Sequence, residues 1–220
     1  MSLHIQRQID TLKKMILSLG AQVEEMVLDA IHAVEQRDPD LAQRVIDNDS
    51  RIDQVEVDIE EECLHVLALN QPVAFDLRYI VATLKINNDL ERMADLASNI
   101  ARQAVELSLL PPLKTIPFNL PQMGELVRSM VKQSLDALVN IDPQLAEQVC
   151  ERDRQVDAIH ASMYEHVETA IREDVEHVNA YLHLTTVSRS LERIGDHAQN
   201  VAEDVIYMAK GDIARHRRSQ

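Results

Sequence analysis

Residues 23–53 read VEEMVLDAIHAVEQRDPDLAQRVIDNDSRID, and residues 127–157 read VRSMVKQSLDALVNIDPQLAEQVCERDRQVD. Set side by side at a constant shift of 104, they agree at Val23/Val127, Met26/Met130, Val27/Val131, Ala33/Ala137, Val45/Val149, Asp49/Asp153 and Asp53/Asp157. Self-similarity over such a stretch marks a structural unit written twice. Inside each copy stands the same start signal, Asp38-Pro39-Asp40-Leu41-Ala42 and Asp142-Pro143-Gln144-Leu145-Ala146. An aspartate carboxylate accepts the free amide hydrogens of a first helical turn. Proline at the next position loses nothing, because its missing N–H would have had no partner there.

Further along, Leu90-Glu-Arg-Met-Ala-Asp-Leu-Ala-Ser-Asn99 meets Leu191-Glu-Arg-Ile-Gly-Asp-His-Ala-Gln-Asn200 at a shift of 101. The drop in shift predicts a connection three residues shorter in the second half. Apolar residues recur at three- and four-residue steps, as in Ile46, Ile52, Val55 and Ile59, or Val187, Leu191, Ile194 and Ala198, which is the period of an amphipathic helix. Breaks fall at Asp38-Pro39, Asn70-Gln71-Pro72 and Asp142-Pro143. The spacing predicts helices over 5–36, 39–69 and 73–109, then 120–140, 143–174 and 176–209. Residues 111–121 hold four prolines and read as a linker. The expected fold is all-α, two tandem, pseudo-symmetric three-helix bundles, with units at 1–110 and 122–220.

Composition agrees. There are four glycines, two phenylalanines, four tyrosines and no tryptophan, too few for a β-sandwich or a glycine-rich nucleotide fold. A formal net charge of -15 repels a phosphate backbone and argues against nucleic acid as a partner. Divalent cations or basic protein surfaces suit it better. The basic cluster Arg215 to Arg218 reads as a solvated tail. Cys63 and Cys150 stand alone, outside any zinc or C-x-x-C spacing, and read as buried helix residues in a reducing compartment. No apolar run of about 18 residues and no signal-peptide pattern occurs. The expectation is a cytoplasmic protein whose membrane contact goes through partners.

Carboxylates four apart share one face of a helix, and acidic pairs on two facing helices can cage a hard cation. Spacing alone is weak evidence, since 37 acids among 220 residues make such pairs by chance. Four pairs pass a stricter test, because they recur at equivalent repeat positions: Asp49/Asp53 with Asp153/Asp157, and Glu91/Asp95 with Glu192/Asp196. Asn99 and Asn200 continue the third-helix stripe and offer further oxygens. Glu56/Glu60 and Asp58/Glu62 have no counterpart and read as a solvated face. The competing reading makes the repeated acids surface residues paired with Arg92 and Arg193.

Other chemistry finds little support. A di-iron carboxylate site wants two Glu-x-x-His motifs on separate helices, and only Glu62-Cys-Leu-His65 qualifies. His197 follows Asp196 directly, points ~100° away from it, and reads as a packing or surface residue. No phosphate-cradling loop occurs, so direct binding of phosphate or nucleotide is not indicated. No catalytic constellation is found.

The stretch Leu191-Glu-Arg-Ile-Gly-Asp-His-Ala-Gln-Asn-Val-Ala-Glu203 closely resembles the signature of the PhoU family, regulators of bacterial phosphate uptake. In the first half, Gln71-Pro-Val-Ala-Phe-Asp-Leu-Arg78 and Leu84-Lys-Ile-Asn-Asn-Asp-Leu-Glu-Arg-Met-Ala-Asp95 carry the same resemblance. Met93 and Ala94 stand where the second half has Ile194 and Gly195. The resemblance implies metal binding on E/D-x-x-x-D motifs, here Asp49, Asp53, Glu91, Asp95, Asp153, Asp157, Glu192 and Asp196. The ions implied are divalent or trivalent: iron, zinc, manganese or magnesium. It also implies a non-enzymatic adaptor between the ATPase subunit of a phosphate ABC transporter and a phosphate-sensing histidine kinase. Such an adaptor represses the starvation response when phosphate is plentiful, and it is commonly a homodimer. A helical-bundle carboxylate metalloenzyme and a metal-free helical scaffold are the alternatives.

Overall fold

A computed structural model describes residues 3–211; the Arg215 to Arg218 cluster lies outside the described residues. Among them the chain forms six long helices and no strand: α1 (Leu3–Gln36), α2 (Pro39–Asn70), α3 (Ala74–Leu109), α4 (Leu120–Asn140), α5 (Pro143–Glu173) and α6 (Val178–Lys210). A turn of 3-10 helix, Val175–His177, precedes α6. Helices α1 to α3 pack on one another, and so do α4 to α6. This is the all-α pair of three-helix bundles that the periodicity predicts.

The repeated start signal works alike in both halves. Asp38 Oδ1 accepts from the amides of Asp40 and Leu41 at 3.0 Å each. Asp142 Oδ1 accepts from those of Gln144 and Leu145 at 2.9 and 3.1 Å. The helix before each cap closes the same way: Asp38 N–H donates to Ala33 O at 3.0 Å and Asp142 N–H to Ala137 O at 2.9 Å. That closure puts one residue in the left-handed region. Here it is Arg37 (φ 55°) and Ile141 (φ 49°) rather than glycine. Arg37 has a second task, donating from Nη2 to the carbonyls of Leu107 and Leu110 at the end of α3.

One expectation is corrected. The three residues missing from the second half do not shorten its inter-helix connection, which spans residues 174–177 against 71–73 in the first. The helices are shorter instead, α6 having 33 residues against 36 in α3. His177 Nδ1 lies 2.8 Å from Asp174 Oδ1, and this contact ties up the segment as a 3-10 turn where α3 has its first helical turn. Helix α4 begins at Leu120, so Pro121 sits in its first turn, a position proline tolerates.

The most extensive helix–helix packing joins the halves, α3 against α6. Polar contacts mark the seam. Asn99 Nδ2 donates to Ser190 Oγ at 3.0 Å, and Asn200 Nδ2 donates to Asp89 Oδ1 at 3.1 Å. Lys85 Nζ lies 3.2 Å from Asp204 Oδ1. Partners on α6 descend as those on α3 ascend, so the two helices run antiparallel. Asn99 and Asn200 are repeat equivalents, and so are Asp89 and Ser190. The seam therefore has the self-complementary form of a twofold interface, built within one chain. Buried apolar residues from all six helices join in a single core.

Candidate metal centre

The seam fixes one face of α3 and α6, and the carboxylate ladders occupy the neighbouring face. Asp153 on α5 is 8% exposed, while Asp157 and Asp196 are exposed. One carboxylate oxygen from each of the three lies within 4.8 Å of those of the other two. Glu192 is half-buried beside them, and its charge reaches both Asp153 and Asp196. Burial, with repulsion from Asp157, Asp196, Glu192 and Glu203, pushes the Asp153 carboxyl from the usual 3.8 up to about 7. Burial also raises Asp196, with Glu192 and Asp157 adding to the rise. Gathering negative charge this way is costly unless a cation or a proton neutralises it.

Two details fit a cation here. The buried Oδ1 of Asp153 has no hydrogen-bond partner, and a buried carboxylate oxygen without one is expensive to keep. A Cβ built on Gly195 would stand 3.4 Å from that same oxygen. Glycine thus keeps a methyl away from it, where the first half has Ala94. Three carboxylates form a partial oxygen shell, of the type that hard cations complete with water.

The first-half ladder is assembled from the same places but balanced differently. Asp49 on α2 is half-buried and Asp53 exposed; Glu91 on α3 is half-buried and Asp95 exposed. Burial raises Asp49 and the charges of Asp95 and Asp53 add to the rise, while Ser98 and, more weakly, Arg102 oppose it. Arg102 Nη2 lies 3.8 Å from Asp49 Oδ2. Arg92 Nε is 3.3 Å from Glu91 Oε2, and its Nη1 is 3.3 Å from Asp95 Oδ2. Among the described residues these four make no trio as tight as that of Asp153, Asp157 and Asp196. The arginine-pairing reading thus describes the first half. In the second, Arg193 makes no ion pair among the described residues.

Glu56 is a residue the repeat filter passed over. It is half-buried on α2, its backbone carbonyl accepts from Asn87 Nδ2 at 2.8 Å, and its charge helps raise Glu91. Its repeat equivalent is His160, bonded through Nδ1 to Ser188 at 2.9 Å, so a test for matching acids discards it. Asn99 and Asn200 spend their amide nitrogens across the seam, on Ser190 Oγ and Asp89 Oδ1. His197 packs there too, with Nδ1 2.8 Å from Asp89 Oδ1.

Comparison with known proteins places these features in a family. A family model described as PhoU domain matches residues 16–104 and again residues 120–205. The chain is 38% identical over 217 residues to the "Phosphate-specific transport system accessory protein PhoU homolog" of Pseudomonas aeruginosa, covering 97% of this chain and 90% of that one. A protein of the same name from Aquifex aeolicus is 39% identical over 211 residues, covering 96% and 95%. The crystal structure of PhoU from Pseudomonas aeruginosa superposes with a TM-score of 0.91 at 37% identity, covering 94% of this chain and 99% of that one. The phosphate transport system regulatory protein PhoU from Streptococcus pneumoniae gives 0.86 at 27% identity, covering 95% and 98%.

Proposed function

The chain belongs to the PhoU family, and from that premise we propose that it is a cytoplasmic negative regulator of phosphate uptake and phosphate-starvation signalling. It acts as a non-enzymatic adaptor between the ATPase subunit of a phosphate ABC transporter and the sensor histidine kinase, and it works as a homodimer. Its two units, 1–110 and 122–220, are joined by the 111–121 segment. The observation that carries the reading is likeness over nearly the full length to proteins named as accessory to phosphate-specific transport. No described helix is long and apolar enough to cross a membrane, consistent with membrane contact through partners. Leu69, Val73, Phe75 and Leu77 are exposed around the α2–α3 turn, and apolar surface of this kind suits protein docking.

The eight ladder residues are proposed as cation ligands, four in each half. Asp153, with its unpartnered buried oxygen, anchors the second site; Asp157 and Asp196 face solvent and would hold the ion between helices. A cation there contributes charge neutralisation and cross-links α5 to α6, stiffening the surface offered to partners. Glu91 and Asp95 would do the same toward α2 once released from Arg92.

A reporter of phosphate-starvation genes tests the regulatory reading. Deleting the protein switches the reporter on in high phosphate, and wild-type protein restores repression. A reporter that stays off after deletion contradicts it. Pull-down of the ATPase subunit and the kinase by the purified chain tests the adaptor role separately.

A further inference from the structure

Positive charge is scarce in a chain of net charge -15, yet one cleft collects it. The cleft, about 280 Å³, opens where α3 crosses α6, and its walls carry Arg92, Asp95, Asn99 and Arg102 from α3 with Arg193 and His197 from α6. The four α3 positions follow at steps of three and four and make one stripe. Arg92 and Arg193 are repeat equivalents, so the cleft straddles the pseudo-twofold of the seam and takes one guanidinium from each half.

A ligand here would draw on one arginine without an ion pair and on two whose acid contacts are long. Arg193 has no ion pair among the described residues. Arg102 holds Asp49 only loosely, at 3.8 Å, and its side chain is 55% exposed. Arg92 is similarly exposed, and its two acid contacts are each 3.3 Å long. His197 spends Nδ1 on Asp89, which leaves Nε2 as the ring nitrogen available to the cleft. Guanidinium groups match the spacing of phosphoryl oxygens and bind them through paired N–H donors.

One carboxylate among these cations sharpens the choice of ligand. Asp95 repels a fully ionised oxyanion but accepts a hydrogen bond from one that keeps a proton. Hydrogen phosphate carries such an O–H, and sulfate does not. We infer that the α3–α6 cleft binds a phosphoryl oxyanion that keeps a proton at neutral pH, as hydrogen phosphate does. This site is made of side chains from two helices about a hundred residues apart, so it needs no phosphate-cradling loop. It stands independently of the adaptor role, since it uses only the geometry of the seam.

Calorimetric titration of the full chain with orthophosphate, ATP and sulfate tests it. Orthophosphate saturates at one per chain, and ATP and sulfate, which lack the proton at neutral pH, bind about tenfold more weakly or worse. Arg193→Gln weakens phosphoryl binding about tenfold or more, as expected for loss of a charge-assisted contact. Arg128→Gln, on α4 and paired with Glu125, leaves it unchanged. Arg193 is exposed, so the variant keeps its fold, which circular dichroism checks; Arg92→Gln is the second variant. The inference is overturned if orthophosphate does not bind, if Arg193→Gln binds as wild type does, or if sulfate or ATP equals orthophosphate.

Discussion

In the first half Arg102 closes the third-helix stripe and reaches Asp49 at 3.8 Å, whereas one repeat later the same position is Glu203, whose charge helps raise Asp153. The ladders correspond, yet Arg92 and Arg102 stand within ion-pair reach of the first-half acids, whereas in the second half Glu203 adds negative charge and Arg193 makes no ion pair among the described residues. Duplication thus preserved the frame while charge balance diverged. A self-paired ladder binds a cation only by displacing an arginine. An unpaired one carries a standing repulsion that a cation relieves.

The seam offers the largest test of how unequal the halves have become. Asp89 accepts from both His197 and Asn200, and its equivalent Ser190 accepts from Asn99. Asp89→Ala leaves two half-buried donors short of a partner and costs about 2 kcal/mol, while Ser190→Ala costs about 1 kcal/mol. Urea unfolding of both variants measures the difference; equal losses would mean that the two sides of the pseudo-twofold still carry equal loads.

The pH dependence of the metal-free protein comes next. An unfolded Asp153 ionises near the usual 3.8, and the folded one holds its proton to about 7. The folded state therefore binds more protons between those values, and stability falls as pH rises through that window. The expected loss is about 2–4 kcal/mol. Asp153→Asn removes this slope and is the more stable protein at neutral pH. Asp49→Asn shows the same sign and a smaller effect, because Ser98 and, more weakly, Arg102 oppose the rise there. Thermal melts across the window settle the order, and a flat wild-type profile would refute it.

Exchanging the divergent charge should exchange the behaviour. Arg102→Glu raises the Mn²⁺ affinity of the first-half ladder about tenfold, and Glu203→Arg lowers that of the second by a similar factor, each about 1.4 kcal/mol. Affinities that do not move would show that the partner at this position is irrelevant to the cation.

The smallest effect lies in the two αL turns. A β-branched residue at φ 49° is strained, and Ile141→Gly relieves about 1 kcal/mol. Arg37→Gly goes the other way, because it also removes the donor to Leu107 and Leu110. Opposite signs in the two melts sustain this account; matching signs break it.

What was legible in the sequence is what depends on near neighbours. Asp38 and Asp142 cap helices whose free amides lie two and three residues away, so their role is written locally. The acid pairs were legible because they recur at fixed shifts. Helix periodicity says which residues share a face, but not which neighbouring helix that face meets. Hence Asn99 and Asn200 looked like extensions of the ladders, while antiparallel packing of α3 on α6 sends their amides across the seam. Glu56 was lost for a related reason: its equivalent is His160, so divergence hid it from a search for repetition. The arginine cleft needed both halves in place before it existed at all.

The central claim is that the second-half ladder is the stronger cation site because its charges are unpaired. Mn²⁺ titration of chelator-stripped protein, followed by electron paramagnetic resonance on wild type, Asp95→Ala and Asp196→Ala, tests it most directly. The account predicts a tighter and a weaker class of site, with Asp196→Ala abolishing the tighter and Asp95→Ala only the weaker. Loss of the tighter site in Asp95→Ala, or its survival in Asp196→Ala, would contradict the claim.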